Sequence, residues 1–254
     1  MTENLSTPGR NAPARVAIVT GGSRGIGRAV ARRLAADGFA LVLGFAGDRD
    51  AADETATAIT DAGGAAIAAQ ADVADENAVA AMFDVAEEHF GGVDAVVHAA
   101  GRMPLSSVAE LDLGDLDALY RTNVRGTFAV AQAAARRLRA GGSLVTFSSS
   151  AVGLAFPTYG PYAATKGAVE ALTLILAREL RGRDVTVNCV APGPTATALF
   201  LDDKDQETID RLAEQPPLER LATPEDIAAV IAFLTGPDGR WVNGQVLRAN
   251  GGIV

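Results

Sequence analysis

The stretch that decides the fold is RVAIVTGGSRGIG, residues 15–27. A short apolar run breaks into glycines and then opens a helical pattern. Gly21, Gly25 and Gly27 let the backbone turn tightly, approach a pyrophosphate closely and pack the following helix on the strand. Ser23, Arg24 and Ile26 complete that turn, and the free N–H groups of the helix N-terminus face the same point. A glycine cluster alone is a weak signal. A strand before it, a helix after it and a position at the first strand–helix turn make it a dinucleotide cradle.

The same alternation runs on through the chain. Strands are predicted at 15–20, 40–44, 65–72, 94–98, 143–148, 184–190 and 245–248, with helices at 25–37, 49–62, 75–90, 112–139, 161–181 and 223–235. The first four strands are near-continuous apolar runs, as expected where both sheet faces are covered. Gly38, Gly63 and Gly91 fit the ends of helices, and Thr223-Pro224-Glu225-Asp226 fits a start. The expected fold class is α/β: a single doubly wound Rossmann domain over 15–254, with a seven-stranded parallel sheet and helices on both faces. Residues 1–14 read as a disordered lead-in, and 194–221 as a mobile substrate lid or, alternatively, a plain surface pair of helices.

Composition narrows the function. With 254 residues, 48% of them apolar, the chain has material for a sizeable core. The net charge of −9 is the reverse of a nucleic-acid binder's. Apolar runs are broken well before the ~18 residues of a membrane span, and no basic amphipathic helix suggests a membrane surface. No nucleic-acid or membrane partner and no metal site are expected. The N-terminus lacks an apolar secretory core, and the single Cys189 lies in an apolar strand, so it reads as structural and the location as cytoplasmic. The dinucleotide is expected to be NADP(H) rather than NAD(H). The second strand ends LGFAGD (43–48) with no acid before Asp48, and Arg24 offers a cation to a 2′-phosphate.

A second cluster carries the chemistry: SSSAVG (148–153), then YGPYAATK (159–166). Tyr162 and Lys166 are four apart on a predicted helix and share a face. An ammonium nearby favours the phenolate, and a phenol so tuned exchanges a proton with a carbonyl or alcohol oxygen. A serine hydroxyl stabilises charge on that oxygen. The basic residues are 20 Arg and only 2 Lys, Lys166 and Lys204. Arginine does not replace lysine's compact ammonium in such a role, so Lys166 stands out.

With these motifs the chain resembles the short-chain dehydrogenase/reductase family, in its branch of about 250 residues, from Arg15 to Gly252. The family's T-G-x-x-x-G-x-G is matched by Thr20 to Gly27, its Y-x-x-x-K by Tyr162 and Lys166, and its N-V-x-G by Asn123. Its strand-five serine is matched by Ser150, three residues before Gly153; counting thirteen back from the tyrosine selects Ser149 instead. Asp72-Val73 match the pair that contacts adenine. Pro192-Gly193, with Thr195 and Thr197, match the nicotinamide end. The family's N-N-A-G is His98-Ala99-Ala100-Gly101 here, so Ala99 and Gly101 line the cofactor and His98 takes a structural role. The resemblance implies Tyr162 as general acid/base, Lys166 lowering its pKa and binding the nicotinamide ribose, Ser150 polarising the substrate, and Asn123 holding a water that serves Lys166.

The implied function is hydride transfer between NADP(H) and a small-molecule carbonyl or secondary alcohol. This is ketoreductase chemistry, similar to the 3-oxoacyl-thioester reductases. Leu199, Phe200, Val152, Phe156 and Met103 are expected to line an apolar pocket; Arg139 and Arg183 could meet an acidic carrier protein, which the net charge of −9 does not favour, and a secondary-metabolism or xenobiotic ketoreductase fits equally well. The competing reading is a catalytically silent NADP-binding regulatory protein, against which the intact Asn, Ser, Tyr, Lys set argues. The resemblance further implies a homotetramer (or homodimer), packed through the helices at 112–139 and 161–181 and the last strand.

Overall fold

The computed structural model describes residues 14–202 and 204–254. The expected lead-in therefore falls outside the described residues except for Ala14. Seven strands form one parallel sheet in the order β3-β2-β1-β4-β5-β6-β7. They are β1 (Arg15–Thr20), β2 (Phe39–Phe45), β3 (Ala65–Gln70), β4 (Val93–His98), β5 (Leu138–Phe147), β6 (Thr186–Pro192) and β7 (Val246–Ala249). The order reverses between β1 and β4, the switch point at which such sheets open a crevice for ligands.

One face is covered by α3 (Glu76–Phe90), α5 (Gly126–Arg137) and α7 (Gly160–Glu179), the other by α1 (Gly25–Ala36) and α10 (Pro224–Thr235). Met82, Phe83, Val130 and Leu176 pack on Ile18, Val96 and Leu144 from the first side. Leu34, Ile227 and Ile231 pack on Val19, Leu41 and Val97 from the second. A fully buried side chain of this kind contributes about 1.5–3 kcal/mol. β1 and β2 are buried almost throughout, but β3 is an edge strand and only partly covered.

Local signals explain most helix ends. Gly38, Gly63 and Gly91 all take left-handed backbone (φ +91°, +87° and +85°), which closes α1, α2 (Arg49–Asp61) and α3. Thr223 and Asp226 form a reciprocal capping box at the start of α10.

The boundaries differ where tertiary contacts intervene. The predicted helix 112–139 is α4 (Leu113–Tyr120), a π-helical turn at Arg121–Arg125, and α5. Its last residues belong to β5. Leu138 pairs with Val93, the chain bulges through Arg139–Gly142, and pairing resumes at Ser143 opposite Ala95. Strand β6 begins at Thr186 rather than 184 because Asp184 has φ +53°, which breaks an extended run. Strand β3 stops two residues early, since the Asp72 carboxylate accepts the Ala74 N–H and turns the chain. The lid region contains two helices, α8 (Ala198–Leu201) and α9 (Gln206–Glu214), in line with the helix-pair alternative. Its two ends are tied together, Ala196 N–H to Ala222 O at 2.9 Å and Ala222 N–H to Pro194 O at 2.8 Å. The short α6 (Ala151–Leu154) follows β5.

Candidate active site

The glycine turn lies at the carboxyl end of β1. Gly21 has φ +68°, and a Cβ there would sit 3.0 Å from the Ala100 backbone nitrogen, so the turn passes too close to the loop after β4 for any side chain. Arg24 is the N-cap of α1 and makes no side-chain cap, leaving the first N–H groups of that helix to a ligand. Both features fit a dinucleotide pyrophosphate. The cleft over this turn is lined by Gly21, Ser23, Arg24, Ile26, Asp72, Val73, Ala99 and Gly101, as expected, and by Ala46, Arg121 and Thr122, which were not. Ala46 comes from the loop after β2, and Arg121 and Thr122 from the π-helical turn just before Asn123.

Asp72 is occupied from both sides. Its carboxylate accepts the Ala74 N–H at 2.9 Å and Arg121 Nη1 at 2.7 Å, and these bonds hold it below the usual carboxylate range. Asp48, the acid nearest the end of β2, caps α2 by accepting the Ala51 N–H at 3.0 Å. Its charge is turned to its own helix.

The cleft runs into a second, mostly apolar cavity through Ile26, Ala99, Gly101, Arg102, Thr197 and Leu199, which line both. Pro192, Gly193 and Thr195 line the second cavity, with Tyr162 and Lys166. Of the expected apolar lining, Leu199, Phe200, Phe156 and Met103 are present. Val152 is not, and Leu154, Tyr159 and Leu212 were missed. Leu212 belongs to α9, the longer helix of the lid region.

Tyr162 is buried, and burial pushes its phenol up to about 12, opposed by a hydrogen bond from the Ser149 hydroxyl. Lys166 is also buried and is pushed down to about 8. Its Nζ donates to Phe147 O at 2.9 Å and lies 5.7 Å from the Tyr162 ring centroid. In the chain without ligand, burial is the largest influence on the phenol.

The three serines have three different partners. Ser148 donates to Glu170 Oε1 at 2.5 Å, Ser149 meets the Tyr162 phenol, and Ser150 accepts Asn250 Nδ2 at 3.1 Å. Both Ser149 and Ser150 line the cavity with Tyr162; Ser149 is the one that acts on the phenol, while Ser150 is held by Asn250. Ser150 N–H bonds to Pro192 O, which turns its side chain toward the C-terminal segment.

Asn123 sits in the π-helical turn and is buried. Its Oδ1 accepts the Arg102 N–H and its Nδ2 donates to Arg102 O, both at 2.9 Å. Its side chain thus clamps the loop after Gly101, and the extra residue of the π turn is what aims it there.

His98 has the structural role expected. It is fully buried and pushed down to about 3 by desolvation, so it is neutral. Its Nδ1 lies 2.8 Å from Thr20 Oγ1, which also accepts the Ala100 N–H at 3.2 Å. This link ties the end of β1 to the start of the loop after β4. Arg139 and Arg183 are in the wrong place to meet a carrier protein. Arg139 pairs with Asp94, and Arg183 donates to Ala135 O and Leu138 O, all at the amino ends of β4 and β5 and away from the cavity.

The lysine leaves a signature in stability. Between its folded value of about 8 and its ordinary 10.5, the unfolded chain binds the proton and the folded chain does not. Stability therefore rises with pH from about 8 toward 10, by up to ~1.4 kcal/mol per pH unit. Lys166→Met removes that rise. Denaturant midpoints of both chains across this window check it; equal slopes would refute the buried, depressed lysine.

A family model described as enoyl-(acyl carrier protein) reductase matches residues 21–254. Together with the sheet order, the glycine turn and the Tyr162–Lys166 pair, this places the chain in the short-chain dehydrogenase/reductase family, as an oxidoreductase. A short-chain type dehydrogenase/reductase of Picea abies is 42% identical over 250 residues, covering 94% of this chain and 92% of the relative. An NADPH-dependent aldehyde reductase-like chloroplastic protein of Arabidopsis thaliana is 38% identical, covering 99% and 98%. The crystal structure of a short chain dehydrogenase from Burkholderia cenocepacia J2315 in complex with NADP is similar with a TM-score of 0.89 at 39% identity, covering 94% and 97%. Among the described residues no helix is long and apolar enough to cross a membrane.

Proposed function

We propose that the chain is an NADPH-dependent reductase of apolar ketones or aldehydes, working toward the alcohol. The observation that carries this reading is a buried, protonated Tyr162, touched by Ser149, in an apolar cavity continuous with the dinucleotide cleft. When bound, the dinucleotide supplies the hydride. Tyr162 gives its proton to the substrate oxygen, and Ser149 donates a hydrogen bond to the same atom as charge develops. Lys166 binds the nicotinamide ribose, and Asn123 keeps the Arg102 loop in place below it. Pro192, Gly193, Thr195 and Thr197 hold the nicotinamide end, and Asp72 and Val73 the adenine end. The lid 194–221 closes the cavity with Leu199, Phe200 and Leu212.

Preference for NADPH over NADH rests on Arg24, exposed at the cleft rim, and on Asp48 being engaged by α2. A charge-assisted bond to the 2′-phosphate predicts that Arg24→Ala raises KM for NADPH about 10–100-fold and leaves NADH unaffected. Equal effects on both cofactors would sink the preference. Oxidation of NADPH in the presence of apolar ketones, aldehydes and 3-oxoacyl thioester mimics tests the activity. Tight NADPH binding with no turnover on any of them would reject it. The apolar surface left on α5 and α7 by Phe128, Leu174 and Ile175 supports the homotetramer. Light scattering at the monomer mass would refute that assembly.

A further inference from the structure

The three consecutive serines have three separate anchors, and the outermost leads to the end of the chain. Asn250 is buried just past β7. Its Nδ2 donates to Ser150 Oγ at 3.1 Å and to Val254 O at 3.0 Å, while its Oδ1 accepts the Gly252 N–H at 3.0 Å. One amide thus folds residues 250–254 into a compact turn and attaches it to the loop that carries Ser149.

The turn approaches its neighbours closely at several glycines. A methyl group on Gly153, at the far side of the serine loop, would lie 2.7 Å from Val254 Cγ2. One on Gly193 would lie 2.8 Å from Asn250 Cα. The next two residues reach the other way. Gly251 (φ +66°) and Gly252 (φ +87°) press against Pro216 and Pro217, at 3.0 Å and 3.2 Å from where their Cβ atoms would stand. Pro216 and Pro217 follow α9 and belong to the returning arm of the lid.

We propose that Asn250 is a positioning residue, and that the 250–254 turn is a strut joining the Ser149 loop to the base of the lid. It touches neither reacting atom. It acts through Ser150 on Ser149, and through Gly251 and Gly252 on Pro216 and Pro217, so lid and serine loop share one support. The Asn250–Ser150 bond is buried at both ends, so losing either partner leaves the other unpaired at a cost, and this ties the turn to the serine loop. The kinetic consequence rests on the function proposed above; the mechanical one does not.

The test is a cycle of Asn250→Ala, Ser150→Ala and the double variant on the full chain. Hydrogen exchange is read at 148–154 and 194–221, alongside NADPH affinity and turnover of an apolar ketone. Asn250→Ala is expected to speed exchange in both segments and to lower kcat about 10–100-fold, the scale of a small misplacement, while NADPH affinity is unchanged. Ser150→Ala removes the same contact from its other side by deleting a single oxygen, and keeps the test alive if Asn250→Ala does not fold. It is expected to speed exchange at 148–154, with the double variant no worse than the more damaging single one. Unchanged exchange at 148–154 in the folded variants, or effects that multiply in the double variant, overturns the proposal. If the wild-type chain reduces no ketone, the functional reading fails on its own and the exchange data still decide the strut.

Discussion

Tyr162→Phe is expected to lower turnover with any reducible ketone by about 10²–10⁴-fold, the range for a lost general acid, while NADPH still binds. The substitution removes one oxygen from a buried ring and leaves the apolar contacts of the ring in place, so the loss is chemical rather than structural. The phenol is held at about 12 by burial, so it carries its proton throughout the neutral range. Stopped-flow oxidation of NADPH with a saturating ketone, set against fluorescence titration of NADPH alone, separates the two effects. Turnover within tenfold of wild type would remove Tyr162 from its role.

Ser149→Ala carries the second large effect. Loss of a single donor aimed at developing negative charge costs about 10²–10³-fold in kcat. Ser149 hydrogen-bonds the phenol, so its hydroxyl lies where the reacting oxygen would also meet Tyr162. Ser150 is directed to Asn250, and its replacement acts only through position. Ser149→Ala should therefore be the more damaging of the two, with little change in NADPH affinity for either. Steady-state kinetics on the pair decide it; the reverse ranking would return the role to Ser150.

The serine run shows where reading the sequence stops. Three serines in a row have identical side chains, and motif spacing supported two of them. Which hydroxyl meets the tyrosine depends on what captures the others: Glu170 from α7, and Asn250 from the far end of the chain. The π turn at Arg121–Arg125 is similar. Nothing in T-N-V-R departs from a helical pattern, and the extra residue becomes visible only where Asn123 meets the backbone of Arg102.

The sequence by itself determined the α/β alternation, the glycine turn, the Tyr162–Lys166 pair and most of the cofactor-lining residues. These depend on local physics: hydrophobic period, φ preferences of glycine, and the i,i+4 geometry of a helix. Tertiary structure alone decided the direction of the Tyr162 and Lys166 shifts, the serine that touches the phenol, and the strut from Asn250 to the lid. Each of these depends on how much water is excluded and which distant group arrives. Desolvation and long-range hydrogen bonding are properties of the packed chain, and no window of sequence contains them.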